Sequence, residues 1–224
     1  MRNRIAWGNE DYFKEIDFPF DAMGAYLDAV APFVAQRLEL TKNKFESFAH
    51  EPANSLEWAD DWFELWSAFE TASLLLDLLY DSQLVSVYSF IERKLLFLCK
   101  ELEKDQSIKL TDFNGKGIQK FRNYLSKVCS IDFAEVEHSW RELSHFGILR
   151  NILIHSEQPR LIPMKHKELL LLLEKSAGVI LEEHEDGVQL RYKDSIIVKK
   201  LIGIGKTILR HPFYEHSPPA GADL

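Results

Sequence analysis

The chain has 224 residues, 46% of them hydrophobic and 28% charged, enough apolar material to bury a core as one domain or one domain with an appendage. Its 35 acidic and 27 basic side chains leave a net charge of −8. That balance excludes non-specific coating of nucleic acid or an anionic membrane, which needs clustered Lys and Arg, but leaves room for a local basic cleft.

Taken in chain order, Met1-Arg2-Asn3-Arg4-Ile5 is charged and no apolar core follows it, so a secretory signal is not expected. Every apolar run meets a charge before the roughly 20 residues that cross a bilayer, so the expectation is a soluble, cytoplasmic chain. After Pro19, Asp21 is a suitable cap, and Met23, Tyr26, Leu27, Val30, Phe33, Val34 and Leu38 predict a helix over residues 21–49. Pro52 and Asn54-Ser55 interrupt it. A long helical run from Leu56 to about Lys104 follows, with Asp81-Ser82 as the place for a bend. Its second half carries Leu84, Tyr88, Ile91, Leu95, Leu98 and Leu102 at steps of three and four. Cys99 and Cys129 both lie in apolar helical stretches and read as buried thiols of a reducing compartment, not as a disulfide.

The run from Asp112 to Gly117 is a turn, and a short helix is expected over 117–128. Asp132 is placed to accept from the free N–H groups of the next helix, whose apolar face reads Phe133, Val136, Trp140, Leu143, Ile148 or Leu149, and Ile152. That helix ends near His155-Ser156, and Pro159 and Pro163 prevent its continuation. Glu168–Lys175 is a Leu-rich helix. Val179–Glu183, an Asp186-Gly187 turn and Val188–Tyr192 predict a hairpin, and residues 194–210 return to helix. The tail from His211 to Leu224, rich in Pro and small residues, is expected to be disordered. The resulting division is a helical extension over 1–55, a helical domain over 56–211 and a tail over 212–224.

Several groupings invite a chemical reading. Gly203-Ile204-Gly205-Lys206-Thr207 resembles the end of a P-loop, but the glycine needed five positions before Gly205 is Lys200, so helix packing against a small residue is preferred. Asn114-Gly115-Lys116-Gly117 opens a helix and could hold an anion, although an interhelical turn explains it better. Trp58, Trp62 and Trp66 form one stripe among Glu57, Asp60, Asp61 and Glu64. The acidic setting disfavours stacking on bases, leaving core or dimer interface. His138, Glu142 and His145 share a helix face, yet no ligand from a second element is evident, so a solvated surface is preferred to a metal site.

Leu149-Arg150-Asn151-Ile152-Leu153-Ile154-His155 remains. At 100° per residue Asn151 and His155 lie about 40° apart, whereas Arg150 and His155 are about 140° apart, so Arg and His flank a groove. From spacing alone the preferred reading is structural, with the Arg capping or forming an ion pair and the His meeting the carbonyls at a helix C-terminus.

The run Arg150-Asn151-x-x-x-His155 resembles the Arg-x4–6-His signature of the HEPN superfamily (higher eukaryote and prokaryote nucleotide-binding domains). It shares the polar residue after the Arg and the apolar filling. The context is similar too: Trp140-Arg141-Glu142-Leu143 upstream, Phe90–Leu95 on the long helix, a short helix after Gly115-Lys116-Gly117, then a Leu-rich helix, hairpin and final helix. The resemblance spans roughly residues 56–210, and residues 1–50 match nothing recognised.

The resemblance implies an all-α, HEPN-like helical bundle with a small β-hairpin between the last helices, forming a homodimer whose Arg/His motifs face each other across a cleft. Many such proteins are metal-independent endoribonucleases of toxin–antitoxin, phage-defence or stress systems. Others are catalytically silent modules that bind proteins or nucleotides. RNA supplies its own nucleophile, the 2′-OH. A histidine, titrating at about 6.5, can take that proton or give one to the leaving 5′-oxygen. Arginine presents a charged fork to two phosphate oxygens. The catalytic residues are then Arg150 and His155, with Asn151 orienting the imidazole or binding a phosphate oxygen. No metal or cofactor enters. RNA is the expected substrate, and an antitoxin or regulatory protein is a possible partner.

Arg160, Lys165, His166 and Lys167 would add positive potential beside the cleft. Some HEPN toxins carry a modified tyrosine two positions after the His. Here that position is Glu157, which disfavours silencing by that route. Glu92 is not assigned to the site. In the silent alternative, the Trp stripe and the acidic 57–64 segment form the interface. A helical adaptor unrelated to the superfamily is the third reading.

Overall fold

The computed structural model describes residues 9–50, 56–156 and 159–214. Their order is α1 (Asn9–Ala49), α2 (Leu56–Glu103), α3 (Gly117–Lys127), α4 (Glu137–His155), α5 (Lys167–Glu174), β1 (Val179–His184), β2 (Gly187–Tyr192) and α6 (Ile196–Tyr214). The fold is all-α with one antiparallel hairpin between the last two helices, as its periodicities predict.

The three-and-four spacing on α2 becomes one buried stripe: Leu84, Val87, Ile91, Leu95, Leu98 and Leu102. Against it pack Ile16, Phe20 and Leu27 of α1 and Ile197, Leu201, Ile208 and Leu209 of α6, in the same core as Trp140, Leu143 and Phe146 of α4. The described part of α1 is thus a layer of that core. Gly205 marks the closest approach. A Cβ there would stand 2.7 Å from both Phe20 and Ile91, so three helices meet where a side chain has no room. Gly203–Thr207 is accordingly helix interior and not a phosphate loop, with the Thr207 hydroxyl donating to the Gly203 carbonyl at 2.9 Å. Ion pairs lace α1 to α6: Asp17 with Arg210, Asp21 with Lys206 and Asp28 with Lys199.

Helix α1 differs from its expected start. It begins at Asn9 and runs through Pro19 and Pro32. Each proline removes one ladder N–H, a cost of about 3 kcal/mol in a helix interior. Burial of Tyr12, Ile16 and Phe20, with the Glu15–Lys94 and Asp17–Arg210 pairs, holds the first turns in place regardless. The expected break at Pro52 and Asn54-Ser55 lies outside the described residues. Between α1 and α2 the tryptophan stripe turns inward. Trp58 lies against Phe48, Trp62 against Phe45, and Trp66 stacks on Trp62 while remaining partly exposed.

α2 is one unbroken helix of 48 residues. By length and composition it could cross a membrane, with an 18-residue window of mean hydropathy 1.3 that is 39% buried, contrary to the expectation of no such segment. Sequence reading stops at its charges, Asp77 and Asp81. Both are bonded to the hairpin, Asp77 to Arg191 and Asp81 to the Tyr192 hydroxyl, as in a core helix.

Asp132 accepts the Ala134 N–H at 2.9 Å as expected, but what opens there is a 3-10 turn over Ala134–Val136 whose cap position is Phe133. Helix α4 proper starts at Glu137. The hairpin pairs Val179 with Tyr192 through His184 with Gly187. Leu161 adds a bridge to Val188 through two 2.8 Å hydrogen bonds. Helix α6 continues through Pro212 to Tyr214, beyond the point where the tail was expected to begin. Its last turn is held by buried His211, which bonds the Asp132 carbonyl and packs on Phe133. Residues 215–224 lie outside the described set.

Candidate functional site

The segment expected to carry chemistry forms the last turns of α4. Leu149 is buried in the core, Arg150 is half-buried, and Asn151 and His155 are exposed. His155 is the last helical residue, and the Ser156 N–H closes the helix on the Ile152 carbonyl. The separation predicted by helix geometry holds: no hydrogen bond or ion pair joins Arg150 to His155 among the described residues. Asn151 instead accepts from Arg150, Nη1 to Oδ1 at 3.0 Å. Ile148 and Ile154 are also exposed on α4, 41% and 43%, so Asn151 and His155 stand on a partly apolar outer surface.

Arg150 leans toward α2. Its Nε is buried and has no acceptor, and its charge acts on the Tyr88 hydroxyl, which Glu92 influences in the opposite sense. Tyr88 is buried, and that burial is the main reason its phenol is held well above the usual range. Glu92, unassigned by the sequence, therefore borders the Arg150 side of the site. Its Oε1 also lies 3.5 Å from where a Cβ on Gly117 would be, at the start of α3. Gly117 (φ 54°) and Gly115 (φ 127°) form the expected turn there.

Tyr88 and Gly147 are the residues that sequence reading missed. A Cβ on Gly147 would come within 2.6 Å of the Tyr88 hydroxyl. Gly147 sits three residues before Arg150 and is the only signal the sequence offered, a glycine inside a helix that otherwise forms well.

The expected basic flank is smaller than its sequence suggests. Arg160 bonds Gln189 and pairs with Asp186 at 3.4 Å. His166 is buried, and its Nδ1 accepts the Ile162 N–H at 2.9 Å. Desolvation, then Lys165, lowers its pKa and favours the neutral ring. Lys165 and Lys167 remain exposed. Glu157 is outside the described residues. Behind α4, a groove of about 560 Å³ runs between α2, the α4 end and β2, lined by Leu74, Leu78, Ile152, Leu153, Arg160 and Leu190 among others.

The His138, Glu142, His145 face is solvated only in part: His138 is exposed as expected and His145 half-buried. Glu142 is buried and takes Lys200 of α6 at 2.7 Å, with His138 at 3.6 Å. Among the described residues no group of three or more His, Cys, Asp or Glu is arranged to hold a metal ion. Comparison with known proteins gives no matching family model, no matching curated protein and no matching solved structure.

Proposed function

We propose that the chain is a metal-independent endoribonuclease of the HEPN type, a cytoplasmic homodimer in which α4 of each copy supplies Arg150, Asn151 and His155. The observation that supports this best is the outer surface of α4: an exposed His155 and Asn151 beside exposed Ile148 and Ile154, with Arg150 anchored by Asn151 next to them. Apolar side chains around a polar pair suit a surface covered by a second copy. Pairing two such helices would set one copy's Arg150 near the other's His155, which a single helix holds apart.

In the reaction the 2′-oxygen bonds to phosphorus and the bond to the 5′-oxygen breaks. One His155 takes the 2′-proton, a protonated His155 gives a proton to the leaving 5′-oxygen, and Arg150 balances the charge growing on the phosphoryl oxygens. The products are a 2′,3′-cyclic phosphate and a 5′-OH. A net charge of −8 and a basic flank reduced to Lys165 and Lys167 favour a selective RNA over long non-specific tracts. Defence, toxin–antitoxin or stress response is the setting this chemistry suits.

The test is incubation with mixed cellular RNA in EDTA. Cleavage by the wild type, leaving cyclic phosphate ends and absent in His155→Ala and Arg150→Ala, is expected. Equal cleavage by both variants would refute the assignment. No cleavage by any, with a dimer still formed, would favour the silent binding module.

A further inference from the structure

We propose that Tyr88 is a phosphate-binding residue of the Arg150 site, its hydroxyl and the Arg150 guanidinium forming a two-donor clamp for one phosphodiester. The identity of the phosphate rests on the ribonuclease reading above, while the clamp rests on the contact of α2 with α4. Tyr88 is 6% exposed, and its ring lies along the α4 backbone at Gly147. A Cβ there would stand 2.6 Å from the hydroxyl and 3.2 Å from the ring carbon that bears it. Gly147 and Arg150, three apart, share a helix face, so the glycine admits the tyrosine to the face that carries the arginine. No described residue hydrogen-bonds the Tyr88 hydroxyl, and the buried Nε of Arg150 likewise has no acceptor.

A buried donor without an acceptor, as the Arg150 Nε is, costs stability that buried polar groups normally recover through a partner. The Arg150 guanidinium and the Tyr88 hydroxyl can both donate to an oxygen carrying negative charge. A phosphodiester offers two, one for a charged fork and one for a neutral hydroxyl. Burial and Glu92 hold the phenol protonated, so Tyr88 remains a donor. The division is chemically useful: Arg150 supplies charge, and Tyr88 fixes direction without adding a second positive centre.

The probe is a 2′-deoxy oligonucleotide, which has the phosphates but lacks the nucleophile. Binding is read by titration and by the ¹³Cζ resonance of labelled tyrosine, which responds to hydrogen bonding at the hydroxyl. The Tyr88 resonance is expected to move on titration of the wild type and to stay in place with Arg150→Ala. Tyr88→Phe, melting as the wild type does, is expected to bind about tenfold more weakly, as for loss of one charge-assisted hydrogen bond. Gly147→Ala is expected to match that loss by displacing the hydroxyl. Tyr88→Phe with wild-type affinity, or an unmoved resonance, overturns the clamp. RNA cleavage by the wild type with unaltered Tyr88→Phe leaves the ribonuclease reading standing alone. Tyr88-dependent binding without any RNA cleavage keeps the clamp and removes the ribonuclease. A wild type that does not bind the oligonucleotide overturns the clamp outright.

Discussion

Asp81 should make the seam between α2 and the hairpin sensitive to pH. Its carboxyl is pushed from the ordinary 3.8 up to about 6, first by burial, with the Tyr192 hydrogen bond opposing and Asp77 adding to the rise. Below 3.8 the carboxyl is protonated in folded and unfolded chains alike. Between 3.8 and about 6 the folded chain keeps a proton that the unfolded chain has released, so stability falls as pH rises through that window and is flat above it. A displacement of that size corresponds to about 3 kcal/mol, on the order of a third of a typical domain's stability. Other carboxylates titrate in the same range, so the informative quantity is the difference between the wild type and Asp81→Asn. Urea denaturation at intervals from pH 4 to pH 7.5 should find the wild type losing about 2.4 kcal/mol of that total relative to the variant. A difference that stays constant to within about 0.5 kcal/mol would show that Asp81 is not buried against Tyr192 as described, and the reasoning would fail.

Three further outcomes follow from the packing. Gly205→Val inserts a side chain where a Cβ alone would be 2.7 Å from Phe20 and Ile91. It should destabilise by about 1–3 kcal/mol, read as a lower thermal midpoint, and an unchanged midpoint would contradict the three-helix contact. Lys200→Met leaves Glu142 buried without its cation and should cost about 2–3 kcal/mol. Adding Glu142→Gln should recover much of that, and no recovery would mean the pair is not the cause. Burial lifts the Cys129 thiol up to about 11 and raises Cys99 as well. Iodoacetamide at pH 8 should therefore modify Cys129, which is half-buried, on the order of a hundredfold more slowly in the folded chain than in the unfolded chain, and comparable rates would refute the raised thiol.

What the sequence made legible was local. The steps of three and four from Leu84 to Leu102 specify a helix face without reference to any neighbour, and Asp186-Gly187 specifies a hairpin turn by backbone chemistry alone. The angular separation of Arg150, Asn151 and His155 follows from the helix repeat, and it held. Pairings between elements were not legible. Pro19 reads as a boundary because its local effect is unfavourable, and only the burial of Ile16 and Phe20 against other helices reverses that. His166 and Arg160 count as positive in a string of letters, yet one is buried as an acceptor and the other is engaged by the hairpin. Glu142 looked solvated for the same reason, since its partner Lys200 is on a distant helix. Tyr88 fits equally well as an ordinary core aromatic until α4 is laid across it at Gly147.

The ion pairs between α1 and α6 carry a consequence for the order of assembly. From Asp17 to Asp21 to Asp28 the steps are four and seven, and from Arg210 to Lys206 to Lys199 they are the same in reverse, so the two helices lie in one fixed antiparallel register. Asp17 and its partner are 193 residues apart in the chain. On the ribosome, α1 can pack on α2, where Phe20 meets Phe90, while its α6-facing side waits for a neighbour made much later. Closure between elements this distant in sequence is slow, and until then the α6-facing side of α1 stands open to other chains. The rate at which α6 is delivered, more than the intrinsic tendency of α1 to be helical, should therefore govern how much newly made chain reaches the native state.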